Sequence, residues 1–397
     1  MTEIPTSRPA RLPSLTVLRF VAAFLVFVFH AQYLGIFSDT SVQSAYNFVT
    51  GRAGWIGVSF FFVLSGFVLT WARRPADTTA AFWRRRFFKI FPSHAVVWLV
   101  AVAMLVASGT AIATGPAVAN LFLVNAWMPE VDNLMFAVNG VTWSLSAEIV
   151  FYLLFPFLIL GINKIRADRL WYWALAVSAL ALSVPLLAKG LLPDAPMFPG
   201  YEDFSWPQMW FAYQFPLVRC LEFIVGILFA RIVLSGQWVR ITPWQAALGV
   251  LAVYAVALWL PDLWSFAAPY AFPLGLLVAA VATSDLGDRG APLARRPLLW
   301  LGDISYAFFL IHLNVLNSAQ AALKGQWMGY GAYDRTSLST PLAVLFLLGC
   351  LAVSVLLAWL LHRFIEAPAM RKWSRPRPSG PAAPGSGRGE SAPVATG

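Results

Sequence analysis

The stretch Leu18-Arg19-Phe20-Val21-Ala22-Ala23-Phe24-Leu25-Val26-Phe27-Val28-Phe29-His30 is apolar at all but two positions, a cation near one end and an imidazole at the other. It reads as a membrane-crossing helix. Ionisable groups inside hydrocarbon are costly and point to function by default. Eleven residues at about 100° each return the chain to within about 20° of its starting direction, and a rise of about 1.5 Å per residue separates the two groups by about 16 Å. Arg19 and His30 therefore share one interior stripe at different depths. The bland alternative is a snorkelling Arg19 with an interfacial His30; it accounts for the arginine better than for the histidine.

Composition carries the same reading along the chain. Of 397 residues, 59% are hydrophobic and 12% charged, and the mean hydropathy is +0.69. Apolar runs of about 20 residues must recur, the mark of an all-α polytopic membrane protein. The net charge of +10 does not point to nucleic acid, because the cations fall in short segments between apolar runs. Cys220 and Cys350 each sit inside an apolar run. Neither shows ligand spacing, so no metal and no disulfide is expected. The first apolar run lacks a small-residue cleavage site, which reads as an anchor rather than a removed signal peptide.

About ten spans are predicted, at 14–36, 53–72, 92–112, 141–161, 170–188, 216–235, 243–260, 266–283, 305–323 and 339–361. Most Lys and Arg, from Arg8 and Arg11 through Arg84, Arg85, Arg86 and Lys89 to Arg363 and Arg371, then fall on one side. The positive-inside rule makes that side cytoplasmic, places both termini there and puts the chain in the cell membrane. The opposite segments carry Asp39, Glu130, Asp132, Asp194, Glu202, Asp203 and Asp262, with Trp127, Trp206, Trp210 and Trp264 as expected interfacial anchors. The domain division is a cytoplasmic segment over 1–13, one integral domain over 14–370, and a tail over 371–397. That tail is rich in Pro, Gly, Ser and Ala, cannot bury a core and is expected to be disordered.

Further stretches carry chemistry. Phe82-Trp83-Arg84-Arg85-Arg86-Phe87-Phe88-Lys89-Ile90-Phe91-Pro92 reads as a basic aromatic loop whose cations suit anionic lipid or the phosphates of an anionic cofactor, with Pro92 opening the next helix. In Val141-Thr142-Trp143-Ser144-Leu145-Ser146-Ala147-Glu148, Thr142 is the expected N-cap. Glu148 lies roughly 10 Å below the outer surface and His30 roughly 24 Å above the inner one, in a core about 30 Å thick. Matching depths suggest a carboxylate that orients an imidazole; a structural carboxylate is the alternative. Arg219 and Glu222, three residues apart, read as a self-satisfied ion pair. His312, counted from a span beginning at 305, lies about 10 Å above the inner surface and so belongs with Arg19. His94 and His362 look interfacial. The run from Gly54 to Gly66 offers small residues for close helix packing, and Phe62-Val63-Leu64-Ser65-Gly66 lacks the upstream Gly of a nucleophile elbow.

Six of these stretches in order resemble the acyltransferase-3 family of integral membrane O-acyltransferases: Arg19 with His30, the run at 61–66, the basic segment at 84–92, Trp143-Ser144-Leu145 with Glu148, Ser305-Tyr306 with His312, and Phe364-Ile365-Glu366-Ala367-Pro368. The resemblance covers residues 14 to about 370. It implies acyl-CoA as donor on the cytoplasmic side and a hydroxyl of a glycan or secondary metabolite as acceptor. The absence of an appended hydrolase-like domain looks more like members that acylate macrolides or small glycans. Arg19 and His30 match the family's signature pair, and Arg84, Arg86 and Lys89 its basic segment, while Phe309 stands where a tyrosine is expected.

The expected mechanism has acyl-CoA phosphates on Arg84, Arg85, Arg86 and Lys89, with Arg19, Tyr306 and His312 lining the inner half of a path to the reacting centre. His30, oriented by Glu148, deprotonates the acceptor or briefly carries the acyl group. A small-molecule transporter is the alternative class; the absence of visible internal repeats and of paired broken helices counts against it.

Overall fold

The computed structural model describes residues 12–73, 77–135, 137–198, 200–267, 269–287, 293–323 and 336–373. Arg8, Arg11, Arg289 and the tail from Ser374 lie outside the described residues. Among the described residues the architecture is helical throughout, without named strands. The principal helices are α1 (Pro13–Gln32), α2 (Thr40–Thr50), α3 (Ala53–Trp71), α4 (Thr79–Ala107), α5 (Thr114–Leu121), α6 (Trp143–Ile162), α7 (Leu170–Leu191), α8 (Pro216–Leu234), α9 (Pro243–Ala257), α10 (Ala271–Asp285), α11 (Arg296–Leu323) and α12 (Thr340–Leu361). Every predicted span coincides with a helix. Seven helical segments among the described residues are long and apolar enough to cross a membrane, while α9 and α10 are shorter apolar helices. Leu99, Val106, Phe157, Leu175, Leu186, Leu345 and Leu356 stay exposed on the outside of the bundle. Such apolar side chains facing outward suit a lipid solvent, where burial is not needed to satisfy them.

The helices alternate in direction. One end, where α1 begins, carries the basic segment; the other, where α1 stops at Gln32, carries α2, α5 and the links between 192 and 215. Backbone contact fixes the centre. A Cβ on Gly66 of α3 would lie 2.0 Å from the Phe223 carbonyl oxygen of α8, and one on Gly226 would lie 1.9 Å from the Val63 oxygen. Only glycine allows that approach, so the small-residue run of α3 is a packing device. Gly302 likewise presses α11 onto Thr16 of α1, and the Ser14 amide donates to Asp285 of α10 at 2.9 Å. Together these hold α1 between α3, α10 and α11.

Two expectations about element ends need correcting. The basic segment is not a loop: α4 begins at Thr79, with Thr78 accepting from the Ala81 amide, and runs through Pro92. Its aromatics at i and i+4 spacing, such as Phe87 and Phe91 stacked at 4.9 Å, favour helix over coil. Pro92 therefore supplies no helix N-terminus. Thr142 sits at the N-cap position of α6, but its hydroxyl makes no cap bond. It donates instead to the Asn139 carbonyl at 2.8 Å and accepts from Asn120 at 2.6 Å. Trp206 and Trp210 also have partners within the protein. Their indoles donate to the carbonyls of Pro129 and Ala126, tying two connecting segments together.

Candidate active site

His30 and His312 meet in the middle of the bundle. The His312 Nε2 lies 3.0 Å from the His30 Nδ1. The expected placement of His312 beside Arg19 is overturned, and the cause is a helix start. Because α11 begins at Arg296 rather than near 305, His312 lies about 24 Å along it, against about 26 Å for His30 along α1. Phe27, Phe308 and Phe309 surround the pair, with His312 fully buried and His30 partly open.

The hydrogen bonds select one tautomer for each ring. The His312 Nδ1 lies 2.8 Å from the Phe309 carbonyl oxygen and must carry the proton, since a carbonyl only accepts. Its Nε2 is then a lone pair. The His30 Nδ1 faces that lone pair and the Val26 oxygen at 2.9 Å, so it too carries a proton. The opposite assignment would set a ring lone pair against a carbonyl lone pair at both sites and forfeit both hydrogen bonds. What remains is the His30 Nε2 with a lone pair and no hydrogen-bond partner among the described residues. An imidazole held by one nitrogen and open at the other is the arrangement of a general base.

Glu148 makes no hydrogen bond to His30 among the described residues. Its carboxylate accepts from the Ser65 hydroxyl at 3.2 Å and from the Tyr152 hydroxyl, and it interacts electrostatically with Arg86 and Arg19. Tyr152, one turn along α6, points the carboxylate toward the basic end and away from His30. Arg86 lies 5.7 Å from both the Phe82 and Tyr152 rings. No hydrogen bond engages the Arg19 guanidinium among the described residues, and the Arg86 Nε is likewise unpartnered. Two guanidiniums with open donors thus share Glu148, and Arg19 also interacts with Asp303. Ser65 and Tyr152 were not singled out as site residues in the sequence; Tyr152 was findable, since it stands four residues after Glu148 on one helix face.

The other basic side chains are engaged within the protein. Arg85 forms a bidentate pair with Asp77, at 3.1 and 2.6 Å. Lys89 pairs with Glu366, which also accepts from the His362 Nδ1 at 3.1 Å. Tyr306 donates to the Ile90 carbonyl at 2.8 Å, and the Lys89 ammonium lies 5.5 Å from its ring. Tyr306 therefore sits within this cationic cluster, and Arg84 stands more than one turn before Lys89 on α4. Glu366, the buried carboxylate that neutralises Lys89, received no role in the sequence reading.

The Arg219–Glu222 pair is formed, at 2.9 Å and fully buried, with Arg219 also bonding Ser59 at 3.3 Å. His94 is not interfacial: it is buried and its Nε2 lies 3.1 Å from the Asn120 and Leu121 carbonyls, because α4 starts earlier than predicted.

The family model described as an acyltransferase domain, acyltransferase-3, matches residues 12–363. The chain is 36% identical over 376 residues to the acyltransferase MdmB of Streptomyces mycarofaciens, covering 94% of this chain and 95% of that protein. It is 24% identical to the peptidoglycan O-acetyltransferase OatA of Listeria monocytogenes, over 80% of this chain and 52% of that protein. The O-acetyltransferase OatA of Staphylococcus aureus is also 24% identical, over 92% and 58%. The chain spans little more than half the length of those two longer relatives. No solved structure matches.

Proposed function

Since the chain belongs to the acyltransferase-3 family of membrane acyltransferases, we propose that it moves a short acyl group from acyl-CoA at the basic end to a hydroxyl of a glycan or secondary metabolite, such as a macrolide. The observation that carries this reading is the His30–His312 pair, whose tautomers leave one imidazole nitrogen open at the centre of the bundle. On this reading the basic end faces the cytoplasm of the cell membrane, as the positive-inside rule expects.

The anionic donor approaches Arg84, Arg86, Arg19 and Lys89, by phosphate oxygens on guanidinium forks and an ammonium point charge. Arg85 and Lys89 start neutralised by Asp77 and Glu366, so they exchange partners rather than offer free charge. The open donors of Arg19 and Arg86, beside Glu148, receive the polar part of the donor nearest the thioester. His30 Nε2 takes the proton of the acceptor hydroxyl as its oxygen attacks the thioester carbonyl. The tetrahedral intermediate collapses, the C–S bond breaks, and the thiolate leaves with the proton that His30 holds. His312 supports the imidazolium by accepting from the His30 Nδ1–H throughout, so it orients the base instead of binding the donor.

The test is purified protein in nanodiscs with labelled acetyl-CoA and a panel of hydroxyl-bearing glycans and macrolides. Acceptor-dependent free thiol and a labelled ester are expected. Accumulation of a solute by proteoliposomes, with neither product formed, would favour the transporter reading instead.

A further inference from the structure

One buried carboxylate beside the basic segment has no part in the reaction above. After α12 the chain passes through a π-helical turn, His362–Glu366, into a short helix, α13 (Ala367–Trp373). Single π turns of this kind recur at functional sites. Trp373 stacks on Phe88 of α4 at 5.3 Å, which holds this end of the chain against the basic segment. Within the turn the His362 Nδ1 donates to the Glu366 Oε2 at 3.1 Å, while Lys89 of α4 bonds the other carboxylate oxygen, Oε1. Each oxygen has its own partner. Access differs among the three side chains: Glu366 is 0% exposed, Lys89 28% and His362 27%. The carboxylate is closed to water, and both of its partners are reachable from outside.

Charge counting gives the consequence. With His362 neutral, Lys89 and Glu366 sum to zero. A carboxylate buried away from water stays ionised only while a cation stays beside it. An anion drawn onto Lys89 cancels that compensation, whether the ammonium turns to it or bridges the two. Imidazole is the side chain of the three that can gain a charge near neutral pH, and its Nδ1–H already points at the carboxylate. The surrounding charges are engaged elsewhere or lie in water. On α4, Arg85 is held by Asp77, Arg86 lies beside Tyr152 and Glu148, and Arg84 stands more than one turn before Lys89. On α11, Tyr306 donates to the Ile90 carbonyl and Asp303 acts on Arg19. Arg363 of the turn and Arg371 and Lys372 of α13 are exposed, Lys372 lying 5.1 Å from the Trp373 ring, and solvent screens such charges. The helix α12 carries no charged residue.

We propose that Glu366 and His362 are positioning residues for the donor: Glu366 holds Lys89 before binding, and His362 takes up a proton from solvent when a donor phosphate settles on Lys89. This rests on the acyl-CoA reading and deepens it, adding one proton to the donor-binding step. Before binding, Glu366 is compensated by the ammonium. Afterwards it is compensated by the imidazolium, and the ammonium serves the phosphate. Linkage fixes the sign: a ligand whose binding takes up a proton binds more tightly at low pH and more weakly as pH rises through the titration of the imidazole in the complex.

Proton counting during binding provides the test. Coenzyme A, which brings the phosphates but no acyl group, is titrated into the purified protein in nanodiscs by calorimetry, at about pH 7.5, where a free imidazole is mostly neutral. The titration is repeated in Tris and HEPES, whose ionisation heats differ, so that the difference in observed heat counts protons. Uptake of at least about half a proton per coenzyme A is expected, equivalent to an affinity falling about threefold or more per pH unit. The ligand itself cannot mimic this, because phosphates moving onto cations release protons. His362→Gln keeps an amide donor for Glu366 but cannot become charged; it is expected to abolish the uptake and flatten the pH dependence, with thermal stability retained. Glu366→Gln is expected to abolish the uptake and to tighten binding several-fold at high pH, since Lys89 is no longer held. Where Glu366→Gln fails to fold, His362→Gln at its partly exposed position carries the test. Binding without proton uptake, or uptake undiminished in His362→Gln, overturns the proposal and leaves the donor site standing. Absence of coenzyme A binding overturns the donor reading and this proposal with it.

Discussion

Replacing His312 by Phe tests how the base is built. Phenylalanine keeps an aromatic ring among Phe27, Phe308 and Phe309, so packing is largely preserved. What disappears is the Nε2 lone pair 3.0 Å from the His30 Nδ1. Val26 still accepts from that nitrogen at 2.9 Å, so the tautomer survives. The imidazolium formed in the transition state, however, loses one of its two acceptors. A hydrogen bond to a charged group contributes about 1.5–3 kcal/mol, and about 1.4 kcal/mol is tenfold in rate. The expected result is a kcat about 10- to 150-fold lower, with the acetyl-CoA KM unchanged, read as thiol release by protein in detergent. His312→Gln, whose amide oxygen can accept, should recover part of the loss. The two histidines should also be non-additive, so that adding His312→Phe to His30→Ala costs little more. Independent, multiplying losses, or a rise in KM without a fall in kcat, would refute the orienting role and return His312 to the donor side.

Other outcomes follow from the same contacts. Arg86→Ala should raise the acetyl-CoA KM in a salt-sensitive way, measured from about 50 to about 500 mM salt, where screening shortens the reach of exposed charges; an unchanged KM would return the basic helix to lipid anchoring. Arg219→Met should destabilise by about 3–5 kcal/mol, because Glu222 is left buried and unpaired. Arg219→Met with Glu222→Leu should recover most of that loss in thermal unfolding. Gly66→Ala should cost about 1–3 kcal/mol or more, since its Cβ would sit 2.0 Å from a backbone oxygen. Gly161→Ala, where a Cβ meets nothing within 4 Å, should be neutral or better.

Much of this fold is legible in the sequence because lipid demands long apolar runs, and each predicted run is a helix in the structure. Helix starts are less legible, and the errors in the site trace to them. Residues 79–91 carry four cations within an aromatic pattern, and charge reads as loop even where helix period persists. In α11, Arg296, Trp300 and Asp303 conceal nine residues of helix ahead of 305, which misplaced His312 by about 14 Å. Depth arithmetic then matched His30 with the wrong partner. Glu148 stands near the start of α6, but position along a helix does not give azimuth. Its direction is set by Ser65 and Tyr152, contacts that depend on how α3 and α6 are rotated. The Arg219–Glu222 pair was readable because both partners lie on one helix.

On the proposed mechanism the open nitrogen of His30 is the base that drives acyl transfer. That role is tested most directly by acceptor-dependent thiol release from acetyl-CoA, comparing the unaltered protein with His30→Ala, alongside donor binding by each. Loss of a general base predicts a rate about 10²–10⁴-fold lower in the variant, with donor affinity and thermal stability retained. Normal acyl transfer by His30→Ala would remove His30 from the reaction.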